Sequence, residues 1–244
     1  MIGISGFGFV GSALYNSIKN KSSTIIYDPN IEKFNDQYRL LKTEVIFICV
    51  GTPLINGKFD DSGVTQNLDF LEKNHYKGLV IIKSTFHPSY FTKKYNLNLI
   101  SNPEFLNANT ANADFLNQKL IMIGGRVDLC EILKSIYLDN FNLTNPNVKF
   151  EFVSFEEALI FKYIRNIKIG YDVIFWEFVQ ESTGNYRKYK LLLDKLPINI
   201  NNIRADTEPG FGGSCLPKDT AAYPEHMLTN FMLKYNDVLK DNHV

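Results

Sequence analysis

The run GFGGSCLPKDT, residues 210–220, places Cys215 behind two adjacent glycines, with Lys218 and Asp219 close after it. Glycines leave a neighbouring sulfur accessible and a lysine three residues on favours the thiolate, so Cys215 is a candidate nucleophile. Cys49 falls in an apolar run and Cys130 in a helical stretch, where a small buried hydrophobe is expected instead. Three widely spaced cysteines with no CxxC pair predict free thiols, neither a disulfide framework nor a zinc site, and no metal. A second set is Lys162 and Asn166, four apart in a helical pattern and so on one helix face. A cation and an amide suit a developing alkoxide, whereas an asparagine between apolar helical turns is a poor helix former.

A third set lies at the N-terminus. GFGFVG supplies Gly6, Gly8 and Gly11, directly after the apolar run IGIS and at the opening of a helical stretch. Glycine is wanted there for a tight turn, for close approach of backbone to a pyrophosphate and for close helix packing. The second apolar run ends in Asp28, where a carboxylate would accept hydrogen bonds from a ribose diol and repel a 2′-phosphate, which favours NAD over NADP. Lys33, five residues later, is a candidate cation at the adenosine end, or else a solvated helix lysine.

Positioning these groups requires a scaffold. The apolar runs at 2–5, 24–28, 45–50, 79–83, 98–101 and 120–124 are short enough to be buried strands. With helices between them they predict an α/β fold, a doubly wound parallel sheet of Rossmann type with about six strands. From 154 to 184 the pattern becomes one long helix, with Ser154 and Glu157 as a capping box and Gly184 as its stop. Gly170 inside that helix predicts close packing against it. Further helices are expected near 186–196 and 219–240, and the domains are read as 1–150 and 151–244.

The chain has 244 residues, 45% hydrophobic and 21% charged, with a formal net charge of +0 and no basic block, so neither nucleic acid nor an anionic membrane is an expected partner. The glycine-punctuated start lacks the features of a signal peptide and no apolar run reaches membrane-spanning length, which predicts a soluble, cytoplasmic protein.

Taken in order, GFGFVG, CVGTP (49–53), KST (83–85), NPEFL (102–106), KYIRN (162–166) and GFGGSCLPKD resemble the UDP-glucose/GDP-mannose dehydrogenase family from residue 1 to about 220. The resemblance implies NAD as cofactor, held by Gly6, Gly8, Phe9, Val10, Gly11, Asp28, Lys33, Val50, Gly51, Thr52, Thr85 and Lys218. It implies catalytic roles for Cys215, Lys162, Asn166, Lys218, Asp219, Thr85 and Glu104, and a nucleotide-sugar site at Glu104, Phe105, Leu106, Lys162, Asn166, Phe211 and Gly212. Thr85 matches a threonine that holds a catalytic water, Glu104 a carboxylate of thioester hydrolysis, and Asp219 an aspartate that assists proton transfer. In such chemistry a primary alcohol is oxidised twice in one site, the intermediate aldehyde being held by the thiolate as a thiohemiacetal and then as a thioester that water hydrolyses.

Departures accompany the matches. The family continues NPEFL with a second glutamate where this chain has Ala108, and Arg204 stands in a compressed segment before the glycine loop. The chain ends near where the family begins a second α/β domain, so it reads as a truncated version. Two other readings stay open at this point: a single-step β-hydroxyacid-type dehydrogenase, which needs no nucleophile at Cys215, and a non-catalytic dinucleotide-binding remnant. The apolar residues of the long helix, among them Ile160, Phe161, Ile164, Ile167, Tyr171, Ile174, Phe175 and Phe178, exceed a single stripe and predict a homodimer around it.

Overall fold

The computed structural model describes residues 1–56, 58–90, 94–195, 210–211, 216–222 and 226–241. Its strands are β1 (Ile2–Ser5), β2 (Thr24–Tyr27), β3 (Val45–Ile48), β4 (Leu54–Ile55), β5 (Lys58–Phe59), β6 (Leu79–Ile82), β7 (Asn98–Ser101), β8 (Leu120–Gly124) and β9 (Lys149–Val153). The helices are α1 (Phe9–Ser17), α2 (Ser62–Lys73), α3 (Ala111–Leu116), α4 (Val127–Asn140), α5 (Phe155–Thr183), α6 (Tyr186–Leu193), α7 (Leu216–Ala222) and α8 (Met227–Asp241). The chain divides into two compact units, Met1–Asn166 and Ile167–Val244.

The first unit is built on a seven-stranded sheet in the order β2-β1-β3-β6-β7-β8-β9, and β4 and β5 form a separate hairpin. β2, β1, β3, β6 and β7 pair in parallel. The central β3 and β6 are apolar throughout because both faces are covered, and the two-residue period of a strand sorts each side chain to one face or the other. Val45, Phe47, Leu79 and Ile81 join a core with Leu14 of α1, Phe115 of α3 and Leu133 of α4. Ile46, Ile48, Val80 and Ile82 join a second core with Leu68 and Leu71 of α2 and Leu159 of α5. The fold is therefore the expected α/β, Rossmann-type doubly wound sheet. From β1 the chain goes first to β2 on one side and then to β3 on the other, so the carboxyl ends of β1 and β3 flank a topological switch point, where such sheets open a crevice for a ligand.

Two features correct the expectation of six parallel strands. β8 pairs antiparallel to β7, through Ser101 and Gly124. Between them α3 has only six residues, about 9 Å of helix, too short to return the chain along a four-residue strand of about 13 Å and its turns. It packs on α1 instead, and the chain re-enters the sheet from the end it left. β9, KFEFV, is a seventh strand parallel to β8; its alternation of charged and apolar residues suits the sheet edge, and no continuous apolar run announced it.

Helix α5 begins and ends where its caps predict. Ser154 N donates to Glu157 Oε2 at 2.8 Å and Glu157 N to Ser154 Oγ at 3.2 Å, the reciprocal capping box. Gly184 follows its last residue with φ +69°, the left-handed stop that glycine tolerates. Gly170 has open space at the position of a Cβ among the described residues, so none of them makes the close packing expected there. In the second unit the helix expected at 219–240 is two helices, α7 and α8.

Candidate active site

The glycine turn is built by contacts that exclude side chains. Gly6 has φ +91°, and a Cβ on it would stand 2.7 Å from the Cys49 carbonyl oxygen; one on Gly11 would stand 2.0 Å from the Gly6 carbonyl oxygen. The turn thus packs on the end of β3 and on the first turn of α1, while Gly8 faces open space. Asp28, just after β2, accepts from Phe7 N at 2.8 Å and from Asn30 N at 3.0 Å, which clamps the turn to the second strand. Lys33 is exposed, with its ammonium 4.8 Å from the centre of the Phe34 ring.

Gly8, Phe9, Val10, Cys49, Val50, Gly51, Thr52, Lys83, Ser84, Thr85 and Glu104 line one cleft of about 230 Å³. The β3 and β6 ends that form it are tied together: Thr52 Oγ1 donates to the Thr85 carbonyl at 2.9 Å and Ser84 Oγ to the Val50 carbonyl at 2.7 Å. Every cofactor residue expected in the first unit, apart from Gly6, Gly11, Asp28 and Lys33 on the adjoining turn and strand, lines this cleft. A hollow of about 710 Å³ between Lys94–Leu99 and the starts of α4 and α5 is larger but holds none of the candidate residues.

Glu104 closes the cleft's wall and Lys162 stands behind it. Lys162 Nζ donates to Glu104 Oε1 at 2.9 Å and to the Glu104 carbonyl at 2.5 Å, and Glu104 Oε2 accepts from Leu106 N at 2.6 Å. Both side chains are buried, with residue exposures of 6% for Lys162 and 8% for Glu104. A buried ion pair persists where its geometry is good and further hydrogen bonds satisfy it, and both conditions hold here. Phe105 packs edge-on against Phe161 at 5.8 Å, and the Lys162 and Arg165 cations lie 5.7 and 5.2 Å from its ring centre. Asn166 is exposed and accepts a long hydrogen bond, 3.4 Å, from Arg165. The two residues lie one turn apart in α5, as their spacing predicts, with Lys162 buried and Asn166 exposed.

In the second unit Lys218 and Asp219 fall in the first turn of α7, and Asp219 is exposed. Phe211 N donates to Asn236 Oδ1 of α8. Gly212 and Cys215, like Arg204, lie outside the described residues. Of the other thiols, Cys49 and Cys130 are buried and free. Burial pushes the Cys49 thiol up to about 12, Glu104 acting in the same direction and Lys83 opposing; burial likewise raises Cys130. Both are poor nucleophiles near neutral pH.

Sequence reasoning passed over Lys83, Asn102 and Tyr137. Lys83, 2% exposed, donates to the Asn102 carbonyl at 3.2 Å, to Asn102 Oδ1 at 3.0 Å and to Tyr137 OH at 3.3 Å. Tyr137 OH donates to Asn102 Oδ1 at 2.6 Å, and Asn102 Nδ2 to the Met122 carbonyl at 2.7 Å. The available signal was a lysine closing an apolar strand run, in the same KST that drew attention to Thr85. Burial pulls the Lys83 ammonium down to about 8, Lys162 adding to the effect while Cys49 and Glu104 oppose it.

That shift has a measurable consequence. Lys83 loses its proton near pH 8 when folded and near 10.5 when unfolded, so in between the unfolded state binds more protons and stability rises with pH. Cys49, near 9.0 unfolded and about 12 folded, acts oppositely above pH 9. Urea midpoints are expected to climb from pH 7.5 to about 9, level off where the two effects oppose each other, and decline above about 10.5, where the unfolded lysine has also lost its proton; a midpoint that falls steadily from pH 7.5 would contradict the buried position of Lys83.

The residues fit a dinucleotide: Gly8 presents backbone with nothing over it, the start of α1 faces the turn, and Asp28 stands at the end of the second strand. Residues 29–140 match the UDP-glucose/GDP-mannose dehydrogenase family, NAD binding domain. Fold and cleft thus define a NAD-binding Rossmann protein. Over these residues the chain carries the NAD-binding domain of the UDP-glucose/GDP-mannose dehydrogenase family, and its cofactor is NAD. A UDP-glucose 6-dehydrogenase of Rickettsia bellii is 30% identical over 257 residues, covering 95% of this chain and 54% of that protein. One from Campylobacter jejuni is 26% identical, covering 97% and 69%. The structure of a GDP-mannose dehydrogenase from Pseudomonas aeruginosa superposes with a TM-score of 0.75 at 22% identity, over 98% of this chain and 68% of that one, a likeness of fold. The chain spans about half the length of the Rickettsia relative. No described helix is long and apolar enough to cross a membrane.

Proposed function

We propose that the chain is an NAD-dependent nucleotide-sugar 6-dehydrogenase that oxidises the C6 alcohol of a hexose, UDP-glucose first among candidates, to the uronic acid. The observation that carries this reading is the buried Glu104–Lys162 pair at the wall of the cofactor cleft. Residues 1–150 act as the NAD-binding domain and 151–244 as the substrate and dimerisation domain. Gly6, Gly8 and Gly11 bring backbone to the pyrophosphate, Asp28 receives the ribose, and Val50–Thr52 and Thr85 line the nicotinamide end. Bound NAD supplies the hydride acceptor for each of the two oxidations.

The residues of the chain do the rest. Lys162, fixed by Glu104, offers a cation to the developing alkoxide, and Asn166 an amide. Cys215, kept as thiolate by Lys218, adds to the aldehyde; Asp219 assists the proton transfers and Lys218 also meets the cofactor. Thr85 positions a water, and Glu104 serves as its base in thioester hydrolysis. Phe105, Leu106, Phe211 and Gly212 complete the sugar site. The exposed Ile164, Ile167, Tyr171 and Ile174 of α5 support a homodimer around that helix, in the cytoplasm.

Titrating limiting UDP-glucose against excess NAD tests the reading. Two NADH per sugar, with UDP-glucuronate as product, is the expected result. One NADH per sugar would indicate single-step chemistry, and none, with NADH still bound, a dinucleotide-binding protein without this activity.

A further inference from the structure

The Glu104–Lys162 pair does not stand alone. Asn102, Pro103 and Glu104 follow β7 directly, and the first of them is seized from three elements. Lys83, at the end of β6, holds both its carbonyl and its side-chain oxygen. Tyr137 of α4 donates to that same side-chain oxygen, and the Met122 carbonyl of β8 accepts its amide. All three ammonium hydrogens of Lys83 are engaged, and its side chain lines the cleft whose wall ends in Glu104. The network sits where the sheet turns from parallel to antiparallel, one residue past β7, where the Asn102 N–H still donates to the Ile82 carbonyl at 2.9 Å but its carbonyl is taken by Lys83. A buried ammonium is unfavourable unless its hydrogens all find acceptors, and an apolar side chain would fill the space at less cost. For packing alone, a lysine is a poor choice.

We propose that Lys83 is a positioning residue: by gripping Asn102 it fixes the path through Pro103 and so places Glu104 against Lys162 at the cleft. The inference rests on the dehydrogenase reading for its catalytic consequence, but its geometric core stands apart from activity. Without the ammonium, Asn102 keeps its bonds to Tyr137, to the Met122 carbonyl and, through its backbone N–H, to the Ile82 carbonyl, but its own carbonyl, the group that leads into Pro103, loses its anchor, and Glu104 is freed to drift from Lys162. An arginine keeps charge and donors at the same place and should restore part of the placement.

The test compares the parent chain with Lys83→Met, Lys83→Arg and Tyr137→Phe. Each folded protein is treated with acetic anhydride, and acetylation of Lys162 is followed by peptide mass spectrometry against the exposed Lys33. Lys162 should be protected in the parent, about tenfold more reactive in Lys83→Met and near the parental rate in Lys83→Arg. Should Lys83→Met not fold, Tyr137→Phe serves instead, with an expected rise of about threefold. With UDP-glucose and NAD, Lys83→Met should lose about 100-fold in kcat with KM changed less than about threefold, since small misplacement of a catalytic group acts on turnover. A purely structural lysine would lower the melting temperature and leave that split unseen. Lys162 equally protected in the folded variants, with parental kcat, overturns the proposal. An inactive parent whose Lys162 is unmasked in Lys83→Met overturns the dehydrogenase reading and leaves the positioning role standing.

Discussion

Cys215→Ser should still release a first equivalent of NADH from UDP-glucose while acid formation falls by on the order of 10³-fold or more. An alkoxide forms far less readily than a thiolate at neutral pH, and its ester hydrolyses more slowly than a thioester. The variant should stall with an aldehyde-level or covalently held sugar, visible by intact mass. The two remaining thiols cannot substitute: Cys49 is buried beneath Gly6 with its thiol pushed up to about 12, and Cys130 is fully buried. Cys49→Ser is the control, expected to change stability and not stoichiometry. Acid formation by Cys215→Ser at the parental rate would sink the covalent mechanism.

Lys162→Met removes one half of a buried ion pair. Glu104 would keep the Leu106 amide and lose its cation, and a carboxylate stranded in this way costs about 3–5 kcal/mol of stability. Turnover should fall about 10²–10³-fold, because a cation preorganised for a developing oxyanion is lost. Glu104→Gln in the same background relieves the stranded charge, so the double variant should recover most of the stability and none of the turnover. Denaturant midpoints and steady-state NADH formation together give the cycle. A single variant as stable as the parent would mean that the pair contributes no net interaction in solution.

Local signals carried much of the scaffold. β1, β3 and β6 are legible because a strand covered on both faces must be apolar along its whole length, and Val45–Ile48 and Leu79–Ile82 are. The ends of α5 are legible because Ser154 and Glu157 at one end and Gly184 at the other each satisfy orphan backbone groups within a few residues of themselves. β9 was missed because an edge strand needs only one apolar face. The direction of β8 was missed because it follows from where α3 packs, a contact with α1 made over a long sequence separation.

The candidate site divides in the same way. Its residue types stand in the sequence: the glycines and Asp28 of the turn, Thr85, Glu104, Lys162 and the Cys215 loop are each short motifs whose chemistry follows from identity and spacing. Their pairing does not. Glu104 and Lys162 are 58 residues apart and meet because β7 ends beside α5, while helical spacing put Lys162 and Asn166 on one face and packing buried the first and left the second in solvent. Lys83 is the sharpest case, since a lysine that closes an apolar run carries no local sign of what its ammonium meets. Only the convergence of β6, β7, β8 and α4 closes a space around it in which its three hydrogens find Asn102 and Tyr137, and burial, a property of the assembled fold, sets the charge it carries.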